Sequence, residues 1–118
     1  MPADRPAADK TYAKRRPPKT YQAFVQRYPE LARAWDIVAE AGHEGPLDER
    51  TRLLVKLGIA IGALREGAVH SAARKARAAG VDDAALEQVV ALATSTLGFP
   101  STVAAWSWVR DEGAERKR

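Results

Sequence analysis

Glu66 and His70 stand four residues apart in the segment Glu66-Gly67-Ala68-Val69-His70-Ser71, and none of the 118 residues of the chain is a cysteine. On a helix such residues are neighbours on one face, so the carboxylate can reach an imidazole nitrogen and set its tautomer and basicity. That pair can move protons. Without cysteine the chain has no disulfide and no thiolate nucleophile. Ser71 is a weak nucleophile candidate, because adjacent helical residues point about 100° apart and its hydroxyl turns away from His70. The two histidines, His43 in a polar loop and His70, have no cluster of carboxylates around them in sequence, so neither a metal nor any other cofactor is expected.

Two arginines follow on the same segment. At about 100° per residue, Val69, Ala72, Ala73, Ala76 and Ala79 form a core-facing stripe, with Glu66, His70 and Arg77 along its edge and Arg74 farther out. An edge position can be partly buried and still line a crevice. The pattern predicts His70 as general acid/base, Glu66 as the group that orients it, and Arg77 or Arg74 as the partner of a substrate carboxylate. A plainer reading stands beside it. A Glu/His pair at this spacing is also an ordinary helix contact worth a few tenths of a kcal/mol, roughly. Arginines on a helix also serve a solvated face or an intersubunit salt bridge.

Length and charge bound the rest. A chain of 118 residues suits one domain with a single core. Residues 1–20 hold six Lys/Arg against Asp4 and Asp9, a net of 6 − 2 = +4, so the other 98 residues carry 13 basic and 13 acidic side chains and are neutral. The arm also contains Pro2, Pro6, Pro17 and Pro18 and no run of large apolar residues, which predicts a disordered basic arm at 1–20. Phosphate attraction to Lys14-Arg15-Arg16 is conceivable, but a solvated tail or an arm lying on a neighbouring subunit fits better than nucleic-acid binding. No segment has the length and apolarity of a membrane span or a secretory signal, so the expected location is the cytoplasm.

The body, 21–112, reads as helical throughout, with a charged tail at 113–118. Tyr21, Phe24, Val25 and Tyr28 form a short amphipathic turn, and Pro29 suits the first position of a helix running through Leu31, Trp35 and Val38 toward Gly42. Asp48 caps a central helix in which Leu53, Leu54, Leu57, Ile61 and Leu64 recur, and Val55 and Ile59 are apolar on another side, so this helix is expected to be covered from several directions. Gly58 and Gly62 in that helix suggest close approach of a neighbouring backbone. A helix from Glu66 ends at Gly80, and Asp82 starts another whose stripe is Leu86, Val89, Val90, Ala93 and Leu97. Gly98-Phe99-Pro100 breaks it before a last helix at about 101–110. Trp106 and Trp108 there diverge by about 200°, so one of them is expected to meet another subunit. The fold class is all-α, a compact helical bundle.

The order Pro29-Glu30-Leu31, Leu47-Asp48-Glu49-Arg50-Thr51-Arg52-Leu53, Glu66-Gly67-Ala68-Val69-His70, Ala79-Gly80-Val81 and Gly98-Phe99-Pro100 resembles the carboxymuconolactone decarboxylase family, which includes the alkylhydroperoxidase D-like proteins. The resemblance covers roughly residues 29–110. It implies a helical subunit that forms homo-oligomers, commonly trimers or hexamers, with sites near subunit contacts. One branch of that family uses Cys-x-x-Cys-x-x-x-His. With His70 as the histidine, its cysteine positions fall here on Ala63 and Glu66, so a thiol peroxidase has no nucleophile. The lactone decarboxylase branch resembles this chain in its acid-x-x-x-His arrangement, although the aromatic residues of that motif are replaced by Gly67, Ala68 and Val69. The resemblance therefore implies a cofactor-free lyase or isomerase acting on a small carboxylated molecule, and beside it a non-catalytic oligomeric scaffold or binding protein that keeps the fold.

Overall fold

The computed structural model describes residues 19–117, and every element in them is an α-helix. Most of the basic arm lies outside the described residues, and only Lys19 and Thr20 of it appear, opening the first helix. The chain divides into two units, residues 1–46 and 47–118.

In the first unit, α1 spans Lys19–Arg27 and α2 spans Pro29–Ala41. Pro29 takes the first turn of α2, where its missing N–H costs nothing, and Gly42 closes the helix. The apolar side chains of α1, Tyr21, Phe24 and Val25, recur at i, i+3 and i+4, yet neither helix contains a buried residue.

The second unit holds α3 (Glu49–Gly62), α4 (Glu66–Ala78), α5 (Asp83–Leu92), the single turn α6 (Thr94–Leu97) and α7 (Phe99–Lys117). Here α4 packs between α3 and α7, and α5 packs on the same two helices. The core has Leu57, Ile61, Val69, Leu86 and Val109 fully buried at its centre. Each such side chain contributes roughly 1.5–3 kcal/mol by leaving water. Two aspartates start helices as expected: Asp48 Oδ1 accepts from the Thr51 N–H at 2.8 Å and Asp82 Oδ1 from the Ala85 N–H at 2.9 Å.

Helix ends depart from the sequence pattern in three places. Leu64 is no part of the central helix: at φ 53° it takes the left-handed conformation, with its N–H on the Ile61 carbonyl and the Arg65 N–H on the Ala60 carbonyl. This is the paired reverse bond of a Schellman ending, built on a leucine. Gly80, at φ 92°, makes the same pair of bonds beyond α4 and does so without the cost of a Cβ. The stripe expected to run from Leu86 to Leu97 is broken at Ala93, so Leu97 belongs to the separate turn α6. The last helix is longer than expected at both ends. Phe99 and Pro100 start it rather than precede it, and its backbone stays helical through Lys117.

Packing departs in two more. Val55 and Ile59 were expected to be covered, and within the single chain both are exposed. Gly58 admits no backbone: a Cβ there would meet only Val89 Cγ1, at 3.7 Å, an ordinary contact, and a Cβ at Gly62 would meet nothing within 4 Å. The tryptophans do diverge, Trp108 packing against the core and Trp106 lying exposed beneath the Arg110 guanidinium at 4.5 Å.

Gly58→Ala is therefore expected to raise stability by up to about 1 kcal/mol in denaturant unfolding, because alanine gains helix propensity and its methyl has room. A loss would show that the helices meet more tightly there. Asp48 gives a second expectation. The Thr51 side chain, and next the Thr51 N–H, hold its carboxyl below the usual carboxylate value. A folded-state pKa below the unfolded value of about 3.9 favours the native state above that pH, and this share is lost as pH falls through the lowered pKa. The Tm of Asp48→Asn, which keeps a cap but does not titrate, should fall less than that of the wild type between about pH 5 and pH 3.

Candidate active site

The face of α4 that meets α3 and α7 is made of small residues. Val69, Ala73 and Ala76 are completely buried, Ala72 is half-buried, and Ala79, past the helix end, is exposed. Along the margin of that stripe lie Glu66, His70 and Arg77 on one side, with Arg74 beyond them. Helix α4 begins without a side-chain cap, its N-cap being Arg65, and Glu66 is the acid of its first turn. An acid there is favoured by the helix dipole.

His70 Nε2 and Glu66 Oε2 are 3.4 Å apart. This is the long end of hydrogen bonding, enough to orient the ring but weaker than a contact of about 2.8 Å. The imidazole is 28% exposed and the carboxylate 60%. A proton on Nε2 donated to Glu66 leaves Nδ1 as the basic nitrogen. One turn on, the half-buried Arg74 directs Nη2 to the Ser71 hydroxyl at 3.4 Å.

Arg77 is held differently. Its Nε donates to Asp83 Oδ1 at 2.7 Å and its Nη2 to the Val109 carbonyl at 3.0 Å, while Nη1 is buried without a hydrogen-bond partner among the described residues. With the side chain only 11% exposed, the guanidinium ties α4 to the start of α5 and to α7. Asp83 was not foreseen as its partner. The signal was the tandem Asp82-Asp83: the first caps α5, which leaves the second to pair.

Two clefts are described on the chain, and neither includes Glu66 or His70. A small one of about 70 Å³ is lined by Glu49, Arg50, Leu53, Ala79, Gly80 and Val81. An open one of about 300 Å³ lies between α5 and α7, against Glu87, Val90, Ala91, Thr102, Val103 and Trp106. No group of three His, Cys, Asp or Glu side chains converges among the described residues, and none of their helices is long and apolar enough to cross a membrane.

The profile of the carboxymuconolactone decarboxylase family matches residues 29–111. The chain belongs to that family. The crystal structure of an apo carboxymuconolactone decarboxylase family protein from Legionella pneumophila has a similar fold, with a TM-score of 0.72 over 92% of this chain and 93% of that one at 18% identity. No functionally curated protein matches the chain. Ala63 stands at the C-cap of α3 and Glu66 opens α4, on the two sides of the reversal between them.

Arg77→Met should lower stability by about 1–3 kcal/mol, since it removes charge-assisted bonds to two elements. Arg77→Lys should recover only part of this, because an ammonium cannot reproduce the fork. Unchanged chemical denaturation in both variants would free Arg77 for a role in ligand binding instead.

Proposed function

We propose that this member of the carboxymuconolactone decarboxylase family is a cofactor-free acid/base lyase or isomerase acting on a small carboxylated substrate. The observation that carries this reading is the 3.4 Å contact of Glu66 with a partly buried His70, in a chain that has no cysteine. In a decarboxylation the C–C bond to the carboxylate breaks, carbon dioxide departs, and the electron pair stays on the substrate carbon. The imidazolium of His70 then protonates that carbon and regains its proton from water. In an isomerisation the same nitrogen removes a proton and returns it elsewhere. Glu66 orients the ring, Arg74 pairs with a carboxylate of the substrate, and Arg77 supports the helix that carries them. We further take the chain to work as a homo-oligomer, a trimer or hexamer, in the cytoplasm.

A second reading, an oligomeric scaffold or binding protein, is favoured by one feature. Neither described cleft contains His70 or Glu66.

A panel of carboxylated lactones and related acids separates the two. On any substrate turned over, His70→Gln should lower kcat by about 100-fold or more, the usual share of a positioned acid/base. Glu66→Gln should cost less, about tenfold, and should shift the pH–rate limb that reports the imidazole. Full activity in His70→Gln would remove the assignment, and no turnover across the panel would favour the scaffold.

A further inference from the structure

The open cleft of about 300 Å³ between α5 and α7 has a chemistry of its own. Its volume lies at the lower end of those that hold small ligands, roughly 300–1,000 Å³. Helix α5 gives it Glu87, Val90 and Ala91, at i, i+3 and i+4, and α7 gives it Thr102, Val103 and Trp106. Four of these six side chains, Val90, Ala91, Val103 and Trp106, are apolar or aromatic. Val103 and Trp106 keep their surface open to solvent. A ligand with an apolar body can cover them, and the indole is the largest single area on offer.

The polar groups decide the sign of the ligand. The Thr102 hydroxyl already donates to the Gly98 carbonyl at 2.8 Å, so toward a ligand it can only accept. The Trp106 indole N–H is a neutral donor. Glu87 is the one charged side chain of the lining, and it makes no hydrogen bond or ion pair among the described residues. No Lys or Arg lies on α5 to neutralise it. Arg110, the first base of α7, is outside the lining, its guanidinium 4.5 Å from the centre of the Trp106 ring. A carboxylate entering the cleft would meet another carboxylate with no lining cation to receive it. An ammonium would gain a charge-assisted bond.

We propose that this cleft binds a small organic amine, its ammonium on the Glu87 carboxylate and its apolar body against Val90, Val103 and Trp106. The site takes the opposite charge to the carboxylated substrate of His70 and shares no residue with the acid/base pair. The two readings therefore stand or fall separately.

The test is a titration of the full-length, isotope-labelled chain with 2-phenylethylamine at about pH 7, where an alkylamine is charged, followed by backbone-amide and indole NMR shifts. Two probes of nearly the same shape accompany it, neutral 2-phenylethanol and anionic 3-phenylpropionate. The amine should move the signals of Glu87, Ala91, Val103 and the Trp106 indole, with a Kd on the order of 1 mM. It should bind at least about fivefold more tightly than the alcohol and about tenfold more tightly than the acid. Glu87→Gln should remove the preference for the amine and leave the alcohol unchanged, whereas Trp106→Ala should weaken both by about fivefold. Salt at about 1 M should weaken the amine and spare the alcohol. Glu87 and Trp106 are both exposed, and unchanged amide shifts in α3 and α4 verify that each variant is folded. The site is overturned by shifts that fall elsewhere, by an absence of shifts at about 10 mM amine, roughly ten times the expected Kd, or by binding of the acid as tight as that of the amine. It is equally overturned by an amine affinity indifferent to Glu87→Gln or to Trp106→Ala.

Discussion

How close α3 and α7 can come to α4 decides where everything chemically interesting in this chain sits. Val69, Ala73 and Ala76 leave no surface exposed, and two of these three are alanine, so the backbones on either side approach nearer than leucine would permit. His70 stands at the margin of that stripe, and its ring is partly buried there. A larger residue at Ala73 or Ala76 would force the helices apart and move the margin with them, without touching Glu66 or His70 directly.

Arg77 fixes the same arrangement at the other end of α4. Its bonds to Asp83 and to the Val109 carbonyl join three helices at one guanidinium, and the planar fork allows this where a lysine could not. The two Schellman endings then set the length of α4 and its entry. Leu64 in the left-handed conformation reverses the chain so that Glu66 falls in the first turn, and Gly80 reverses it again toward Asp82 and Asp83. A carboxylate one turn before His70 therefore depends on a strained leucine, a conformation that costs an L-residue roughly 1–2 kcal/mol.

Much of this was legible in the chain. The caps Asp48 and Asp82, the terminator Gly80, the alanine stripe of α4 and the i, i+4 approach of Glu66 to His70 all follow from local rules, because each concerns groups within a turn of one another. What escaped was settled by tertiary partners. Leu64 continues the apolar period of α3, and periodicity places a residue on a face without stating the handedness of its backbone. Gly58 looked like a point of close backbone approach and meets only a Val89 methyl. Arg77 lies on the same edge as His70 by angle, yet the carbonyl it binds is 32 residues away in sequence. Phe99-Pro100 has the composition of a break, but proline in a first turn begins a helix as readily as it ends one.

Exposure bears on function as well as on assembly. At 60% exposure the Glu66 carboxylate sits largely in water, where a pair 3.4 Å from an imidazole gains little. The same two groups in a site closed to solvent would interact several times more strongly, with no change of geometry. The two clefts described on the chain lie elsewhere. Acid/base work at His70 would gain from a cover over the pair, such as the body of a bound substrate. The chain meanwhile leaves Val55, Ile59, Trp106 and the large apolar side chains of α1 and α2 exposed. Whatever excludes water from the Glu66–His70 pair sets how strongly the two groups act on one another, so the chemistry of the pair is decided by its cover as much as by its 3.4 Å spacing.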